Sequence, residues 1–253
     1  MGTILARISP PKFRPERDVP DLSGKIIMVT GGNTGIGYET VKQLLLKNAK
    51  VYLAARPPEK AAAAIKRLEQ ETKKSVIFLQ LDLADLSSVR KAAEDFFYLR
   101  SRGSIFCSTT HLLTAQDHDL LKKKGSITNR GMLYGESKLG NILISNYFAK
   151  THSDVLVSCS LHPGSMNTEL TRHTENRLQA IANPFFYPAP MGAYTQLWGA
   201  TVATPAQITG QYLVPWGKVG KVDKRASNTK LAEEVVAYIK DQIKDFWEEG
   251  RFV

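Results

Sequence analysis

Residues 30–37 read Thr30-Gly31-Gly32-Asn33-Thr34-Gly35-Ile36-Gly37 and lie between two apolar stretches of different pattern. The preceding residues 25–29 (KIIMV) form a short β-branched run, which predicts a buried parallel strand. The following residues 38–46 (YETVKQLLL) place apolar side chains close to helical spacing. Glycines between a strand and a helix let the backbone approach a ligand, and the helix N-terminus offers N–H groups to an anion. This order therefore predicts a site for the pyrophosphate of a dinucleotide, rather than a glycine-rich loop that binds nothing.

The composition is that of a globular protein with a basic surface. Of the 253 residues, 43% are hydrophobic and 23% are charged, and the formal net charge is +10. The basic residues are scattered, apart from 122–124 and 218–225, and no aromatic pattern accompanies them, so we expect no nucleic-acid partner. Two cysteines without metal-ligand spacing favour a reducing compartment and predict no metal site. We expect a cytoplasmic protein without a transmembrane segment, because no apolar run has the length of a membrane span.

The chain organisation predicts one arm and one domain. Residues 1–20 are expected to form an extended N-terminal arm, because four prolines lie among charges between residues 9 and 20. Residues 21–253 are expected to form a single nucleotide-binding domain, since the chain shows neither an internal repeat nor a second composition. Within this domain, residues from about 165 to 205 are rich in aromatics and prolines, which is typical of a substrate lid.

The second predicted strand, residues 50–56, ends on Arg56, about twenty residues after the glycines. This is the place where a dinucleotide-binding fold contacts the adenosine ribose. An acidic residue there would accept a hydrogen bond from the 2′-hydroxyl of NAD, whereas a guanidinium matches the 2′-phosphate of NADP. The sequence therefore favours NADP over NAD, with a solvated arginine at a strand end as the alternative.

The third predicted strand, residues 75–83, ends on Asp82 and Leu83. Ligands of open α/β sheets gather at the carboxyl ends of the strands. Asp82 is therefore a candidate contact of the adenine amino group, or it begins the next predicted helix, residues 85–100. Both interpretations remain open, and we favour the first.

Tyr134 and Lys138 are four residues apart in a predicted helix, residues 132–150, so both side chains lie on one face. A phenol with a pKa near 10 is a weak acid–base group at neutral pH, and an ammonium held close favours the phenolate. The tyrosine is then able to exchange a proton with a carbonyl or alcohol oxygen, while the lysine holds ribose hydroxyls. The spacing alone is a weak signal, but together with the glycine motif it is specific.

These motifs resemble those of the short-chain dehydrogenase/reductase family. The matching residues are Thr30-Gly31-x-x-x-Gly35-Ile36-Gly37 (cofactor loop), Asp82-Leu83 (adenine contact), Tyr134-x-x-x-Lys138 (catalytic helix) and Pro163-Gly164 with Thr168 (nicotinamide-side loop). Residues 53–56 and 210–215 make the chain similar to the retinol-dehydrogenase and WW-domain-oxidoreductase-like branch, especially its fungal members. The resemblance covers residues of about 20–100 and 130–220.

The resemblance implies a Rossmann-like, doubly wound parallel sheet and reversible hydride transfer between NADP and an alcohol–carbonyl pair, with a small hydrophobic substrate. It implies Tyr134 and Lys138 as catalytic residues. The implied cofactor-binding residues are Gly31, Asn33, Thr34, Gly35, Ile36, Gly37, Arg56, Asp82, Leu83, Lys138, Pro163, Gly164 and Thr168. Because this family often pairs through the tyrosine helix, a homodimer is also implied.

The stretch 101–131 departs from the family pattern. Family members carry an Asn-Asn-Ala-Gly segment after the fourth strand, then a long helix with a catalytic asparagine and a fifth strand with a catalytic serine. Here residues 106–110 read Phe-Cys-Ser-Thr-Thr, and a strand–helix–strand unit needs about 30 residues for itself. We therefore predict that one central strand and one helix are absent. Divergence, an alternative transcript and a mis-spliced gene model are all open as causes.

Two functions follow from the sequence. The first is an NADP-dependent oxidoreductase that interconverts an alcohol and a carbonyl, with Tyr134 as acid/base. The alternative is a non-catalytic NADP-binding remnant or interaction protein that has lost the asparagine and serine elements. A third interpretation is a shortened chain that does not fold stably.

Overall fold

The computed structural model describes residues 11–56, 58–97, 105–107, 130–164, 166 and 187–246. In chain order the elements are α1 (Pro15–Asp18), β1 (Ile26–Thr30), α2 (Gly35–Leu46), β2 (Lys50–Ala55), α3 (Pro58–Thr72), β3 (Ile77–Gln80), α4 (Leu86–Phe97), β4 (Ile105–Cys107), α5 (Arg130–Thr151), β5 (Ser160–Leu161), α6 (Ala189–Thr201), α7 (Pro205–Ile208), β6 (Tyr212–Val214), β7 (Lys218–Val219), a 3₁₀ helix (Lys224–Ser227), α8 (Thr229–Ile243) and a last 3₁₀ turn (Lys244–Phe246).

The chain divides into two compact units. Unit 1 comprises Met1–Ser108, Pro163–Val202 and Pro215–Gly217, and unit 2 comprises Thr109–His162, Ala203–Val214 and Lys218–Val253. Unit 1 therefore contains the glycine motif, whereas unit 2 contains the tyrosine helix.

Unit 1 is built on a four-stranded parallel sheet with the order β3-β2-β1-β4. Successive residues of β1 point to opposite faces, yet both faces are buried: Ile27 and Val29 belong to one apolar cluster, and Ile26 and Met28 to another. Helices α2, α3 and α6 supply the partners on the first face, and α4 supplies them on the second. Burial on both faces explains the continuous apolar strands. The predicted α/β class, a Rossmann-like parallel sheet flanked by helices, is confirmed.

Unit 2 holds a smaller sheet with the order β5-β6-β7, in which β5 and β6 are parallel and β6 and β7 antiparallel. Its core lies between α5 and α8, where Leu139, Ile142 and Leu143 of α5 are almost completely buried. One face of α5 is thus committed to the core of this unit.

Strands β4 and β5 each stand at an edge of their own sheet in the described part of the chain. Among the described residues, β4 pairs with β1 alone and β5 with β6 alone. The predicted absence of one strand and one helix concerns residues 101–131, of which the structure describes only 105–107, 130 and 131.

Residues 154–161 (DVLVSCSL) form an apolar run that predicts a buried strand, and this prediction is wrong for most of its length. The structure has a strand only at Ser160–Leu161, and the backbone N–H groups of Val155 and Leu156 donate to the carbonyl oxygen of His152 in a turn after α5. Val155, Leu156 and Val157 are 78%, 41% and 44% exposed. The run has the composition of a buried strand, but residues 155–157 follow α5 as a turn and irregular backbone, with their apolar side chains exposed.

The predicted arm is described from residue 11 onward, and this part packs on the core of unit 1. Helix α1 lies between Phe13 and Val19, which are 6% and 2% exposed. The ring of Phe13 meets that of Tyr194 edge to face, with centroids 6.1 Å apart. Residues 11–20 therefore contribute to the fold rather than extend from it.

We expect Phe13→Ala to lower the free energy of unfolding by about 3 kcal/mol, because it removes a buried ring and leaves a cavity. Urea denaturation measures this change. Leu46→Ala, at a position that is 45% exposed, is the control and should change stability by about 0.5 kcal/mol or less. Equal effects of the two substitutions would show that the arm does not stabilise unit 1.

None of the described helices has the length and apolar character needed to cross a lipid bilayer.

Candidate active site

The glycine motif forms the turn from β1 to α2, at the carboxyl edge of the sheet. Helix α2 begins at Gly35, and its N-cap residue Thr34 is extended, with no hydrogen bond from its side chain to the helix. The N–H groups of the first helical turn have no acceptor within the helix. They are therefore available to an anion, and the helix dipole favours negative charge there.

Backbone packs directly on backbone in this turn. Gly31 has φ +66°, a conformation that side-chain-bearing residues seldom adopt. A Cβ on Gly37 would collide with the carbonyl group of Gly31, whose carbon would lie 2.8 Å away, and would lie 3.1 Å from Cα of Gly32. A Cβ on Gly31, in contrast, would meet no atom within 4 Å. The turn is thus filled by backbone where Gly37 faces Gly31 and Gly32, and it is open where Gly31 faces outward. This open side fits a pyrophosphate.

Arg56, Asp82 and Leu83 follow the carboxyl ends of β2 and β3, at the same edge of the sheet. The N–H of Gly31 donates to the carbonyl oxygen of Ala54 at 2.8 Å, and the N–H of Leu81 donates to that of Ala55 at 2.9 Å. These bonds hold the ends of β1, β2 and β3 together. Arg56 directly follows β2 and is exposed, and within the described part of the chain it makes no ion pair. A guanidinium so placed is free to bind a phosphate.

Asp82 is occupied by local hydrogen bonds. Its Oδ1 accepts a hydrogen bond from the N–H of Ala84 at 3.0 Å, and its own N–H donates to Oγ of Ser88 at 3.0 Å. These contacts begin the turn into α4, which is the second of the two interpretations of Asp82. The neighbouring Leu83 is 73% exposed and offers an apolar surface at the same edge.

The loop after β5 reaches the start of α2 through Met166. Gly164 has φ +97°, and a Cβ there would lie 2.7 Å from Cε of Met166 and 3.3 Å from Cγ of Pro215. A Cβ on Gly192, in α6, would lie 2.7 Å from Cγ1 of Ile36 and 3.1 Å from Cγ of Met166. Gly164 is therefore connected through Met166 and Gly192 to Ile36 of the glycine turn, and all four residues lie in unit 1.

The sequence did not reveal the packing of Met166, Gly192 and the buried Trp216. Met166 and Trp216 lie next to Gly164, and Gly192 lies next to Ile36 and Met166. No local pattern marks them, because their partners are distant in the chain. The predicted cofactor residue Thr168 and the larger part of the predicted lid, residues 167–186, lie outside the described residues.

Tyr134 and Lys138 lie on α5, in unit 2, and the two side chains are in contact. Nζ of Lys138 lies 5.3 Å from the centroid of the Tyr134 ring, which is a cation–π distance. The expectation that the ammonium lowers the phenol pKa is not met: burial raises the pKa of Tyr134 instead. The physical reason is that the ammonium faces the ring, while the partly enclosed hydroxyl loses hydration of its charged form.

The two faces of α5 have different roles. Tyr134 is 36% exposed and Lys138 is half-buried, whereas Leu139 and Leu143 are 1% and 0% exposed in the core of unit 2. The helix thus turns its tyrosine and lysine away from the apolar face that holds it. This leaves the phenol accessible to a substrate oxygen.

Comparison with known proteins gives consistent matches. Residues 25–98 match the model of the short chain dehydrogenase family. A short-chain dehydrogenase/reductase of Armillaria gallica is 33% identical over an alignment of 304 positions, gaps included. The alignment covers 96% of this chain and 98% of that protein. Human retinol dehydrogenase 12 is 29% identical, over 85% of this chain and 84% of that protein. Among solved structures, the Pseudomonas aeruginosa RhlG protein, determined as an active-site complex with NADP, has a TM-score of 0.59 at 21% identity and covers 79% of this chain and 98% of its own.

The alignment with the Armillaria gallica protein also shows that this chain is shorter than that relative. Its 304 positions exceed the 253 residues of the chain, so the Armillaria gallica protein carries residues that have no counterpart here. The fold of unit 1, the glycine turn and the similarity along nearly the whole length lead to one conclusion. The chain belongs to the short-chain dehydrogenase/reductase family of oxidoreductases, in the branch that contains the retinol dehydrogenases.

Proposed function

We propose that the chain is an NADP-dependent oxidoreductase that interconverts a hydrophobic alcohol and the corresponding carbonyl compound, with Tyr134 as the acid/base. The observation that carries this proposal is the glycine turn, in which Gly37 packs on Gly31 and leaves the N-terminus of α2 open to an anion. The NADP in the related fold of the RhlG complex is further support.

Each part of the cofactor has candidate ligands. Residues Gly31–Gly37, with Asn33 and Thr34, would hold the pyrophosphate, Arg56 the 2′-phosphate, Asp82 and Leu83 the adenine, Lys138 the nicotinamide ribose, and Pro163, Gly164 and Thr168 the nicotinamide. When bound, the nicotinamide supplies or accepts the hydride. The protein residues bind and orient it and move a proton.

Tyr134 would carry that proton. In carbonyl reduction its hydroxyl would donate a hydrogen bond to the substrate oxygen and transfer its proton to that oxygen; in alcohol oxidation the phenolate would accept the proton of the substrate hydroxyl. Because burial raises the pKa of Tyr134, the protonated phenol dominates at neutral pH. This favours the reductive direction at neutral pH, and alcohol oxidation should gain as the pH rises.

The second candidate is a protein that binds NADP without turnover. The observation in its favour is the alignment with the Armillaria gallica protein. That alignment is longer than this chain, so residues present in the Armillaria gallica protein are missing here. If those residues include the serine and asparagine of the family, Tyr134 acts without the partners that orient the substrate. Turnover of NADPH with a panel of hydrophobic aldehydes and ketones separates the two candidates, since the second predicts binding alone.

The choice of cofactor is tested at Arg56. We expect Arg56→Ala to weaken NADPH binding by about tenfold or more, because a charge-assisted contact to the 2′-phosphate is lost, and to leave NADH binding unchanged. Fluorescence titration with both cofactors measures the two dissociation constants.

The control is Arg17→Ala, which removes the same charge from the surface of unit 1 at a side chain that is 65% exposed. It should change neither constant. An equal loss of NADPH affinity in both variants would indicate a general effect of net charge, and an unchanged affinity in Arg56→Ala would exclude the proposed role.

A further inference from the structure

The proposed chemistry does not use the charge pair between Glu136 and Arg225. Glu136 nevertheless lies between Tyr134 and Lys138 in the sequence. Its carboxylate is almost fully buried, with the side chain 6% exposed, and Oε1 lies 3.6 Å from Nη1 of Arg225. Arg225 belongs to the 3₁₀ helix Lys224–Ser227 and is itself 23% exposed. A buried charge is costly unless it is paired, so this contact needs an explanation.

The position of Glu136 on α5 is opposite to that of the proposed catalytic pair. Glu136 is two residues from Tyr134 and two from Lys138, and two residues correspond to more than half a helical turn. Glu136 instead shares its face with Leu139 and Leu143, three and seven residues further on. It is thus the polar end of the face by which α5 packs in unit 2.

Arg225 is held in place from its other side. Its backbone N–H donates to Oδ1 of Asp223 at 2.9 Å, and its Nε donates to the same oxygen at 3.2 Å. The guanidinium is therefore a fixed anchor rather than a freely rotating surface charge.

A second contact ties the same two elements further along α5. Nδ2 of Asn146 donates to the carbonyl oxygen of Ala226 at 2.8 Å, and Ala226 is buried in the cluster that includes Leu139, Ile142 and Leu143. The distal part of α5 is thus fixed by apolar packing and this hydrogen bond. Among the described side chains of α5, the first to be buried in this way is Glu136, in the turn that carries Tyr134 and Lys138.

We propose that the Glu136–Arg225 pair is a positioning device, which sets the rotation of the first turns of α5 and so holds Tyr134 and Lys138 in their orientation. Glu136 and Arg225 are positioning residues and touch neither substrate nor cofactor. The assignment of a role in turnover rests on the proposed function, whereas the mechanical part, the fixing of the helix start, does not.

The mechanical part is tested by amide hydrogen exchange on the full chain. Glu136→Gln keeps the shape of the side chain and removes its charge. We expect exchange within residues 134–139 to rise by about tenfold, while residues 142–151 remain as in the parent protein. Arg225→Met should give the same pattern, and the double variant should add little to either single one, because both remove one interaction.

Glu233→Gln is the matched control. Glu233 pairs with Lys150 at 3.8 Å, also between α5 and a following helix, but its side chain is 57% exposed. This variant should leave exchange in residues 134–139 unchanged. If Arg225→Met does not fold, Arg225→Lys, which keeps the charge, provides the comparison with a smaller expected rise.

Turnover gives the second measurement. Glu136→Gln should lower kcat for carbonyl reduction by about tenfold and change the dissociation constant of NADPH by less than about twofold, a split that general destabilisation would not produce. Unchanged exchange in residues 134–139, or an equal rise along the whole of α5, would overturn the proposal. A chain without any turnover would refute the proposed function and leave the exchange result valid.

Discussion

Tyr134→Phe is expected to lower kcat for NADPH-dependent carbonyl reduction by about 10²- to 10⁴-fold, the usual contribution of a positioned acid/base group. The substitution removes the phenolic proton and keeps the ring against which Lys138 rests. NADPH binding should therefore survive. Initial rates at saturating NADPH, together with a binding titration, measure both effects.

The control is Tyr147→Phe, which removes a hydroxyl from the same helix at a side chain that packs against the core of unit 2. It should retain the turnover of the parent protein. Comparable rates for Tyr134→Phe and the parent would rule out the proposed role of the phenol.

The pH profile of the parent protein gives a second measurement on Tyr134. Carbonyl reduction needs the protonated phenol, so its rate is retained below the pKa of this group and lost as the pH rises through it. Because burial raises that pKa, the loss should occur on the alkaline side of the ordinary tyrosine range. Tyr134→Phe should abolish this alkaline limb in whatever rate remains.

Gly37→Ala is expected to reduce NADPH affinity by about 100-fold, equivalent to about 2.8 kcal/mol. The added methyl group would collide with backbone atoms of Gly31 and Gly32. These atoms cannot move aside by a side-chain rotation, as the end of a flexible side chain could. The turn and the start of α2 must then separate, and the N–H groups that face the pyrophosphate move with them. Isothermal titration with NADPH measures the loss.

Gly140→Ala is the matched control for this substitution. Gly140 lies within α5, and a Cβ there would meet no atom within 4 Å. The change should stabilise the helix by up to about 1 kcal/mol and leave NADPH affinity unaltered. Full affinity in Gly37→Ala would contradict the assignment of the glycine turn as the pyrophosphate site.

The elements of unit 1 could be predicted because their signals are local. The apolar run of residues 25–29 and the helical spacing after Gly37 correspond to β1 and α2. Residues 58–72 are rich in alanine and other strong helix formers, which predicts a helix, and they have the bounds of α3. Burial on both faces makes the central strands β1 and β2 almost continuously apolar, so their pattern is clear.

The run Val155–Val157 shows where local signals fail. Its composition predicts a buried strand, but burial depends on a neighbour that the sequence supplies elsewhere, and these residues are exposed in the structure. The aromatic and glycine contacts of Met166, Gly192 and Trp216 could not be predicted for the same reason, since each joins segments far apart in the chain.

The electrostatic surroundings of individual side chains could not be predicted from the sequence either. The spacing of Tyr134 and Lys138 predicts that they lie on one face, and they do, but it does not specify whether the ammonium reaches the hydroxyl or the ring. The structure shows the contact of the ammonium with the ring, and it shows the burial that raises the pKa of the Tyr134 phenol. The sequence likewise left two interpretations of Asp82 open. The structure shows that its carboxylate accepts a hydrogen bond from the N–H of Ala84 in the turn before α4.

Titration of the purified chain with NADPH, followed by the change in cofactor fluorescence, tests the central claim that the glycine turn binds a dinucleotide. The account predicts saturable binding with one cofactor per chain, and a loss of that binding in Gly37→Ala but not in Gly140→Ala. Absence of saturable binding to the parent protein, or equal binding by Gly37→Ala, would contradict it.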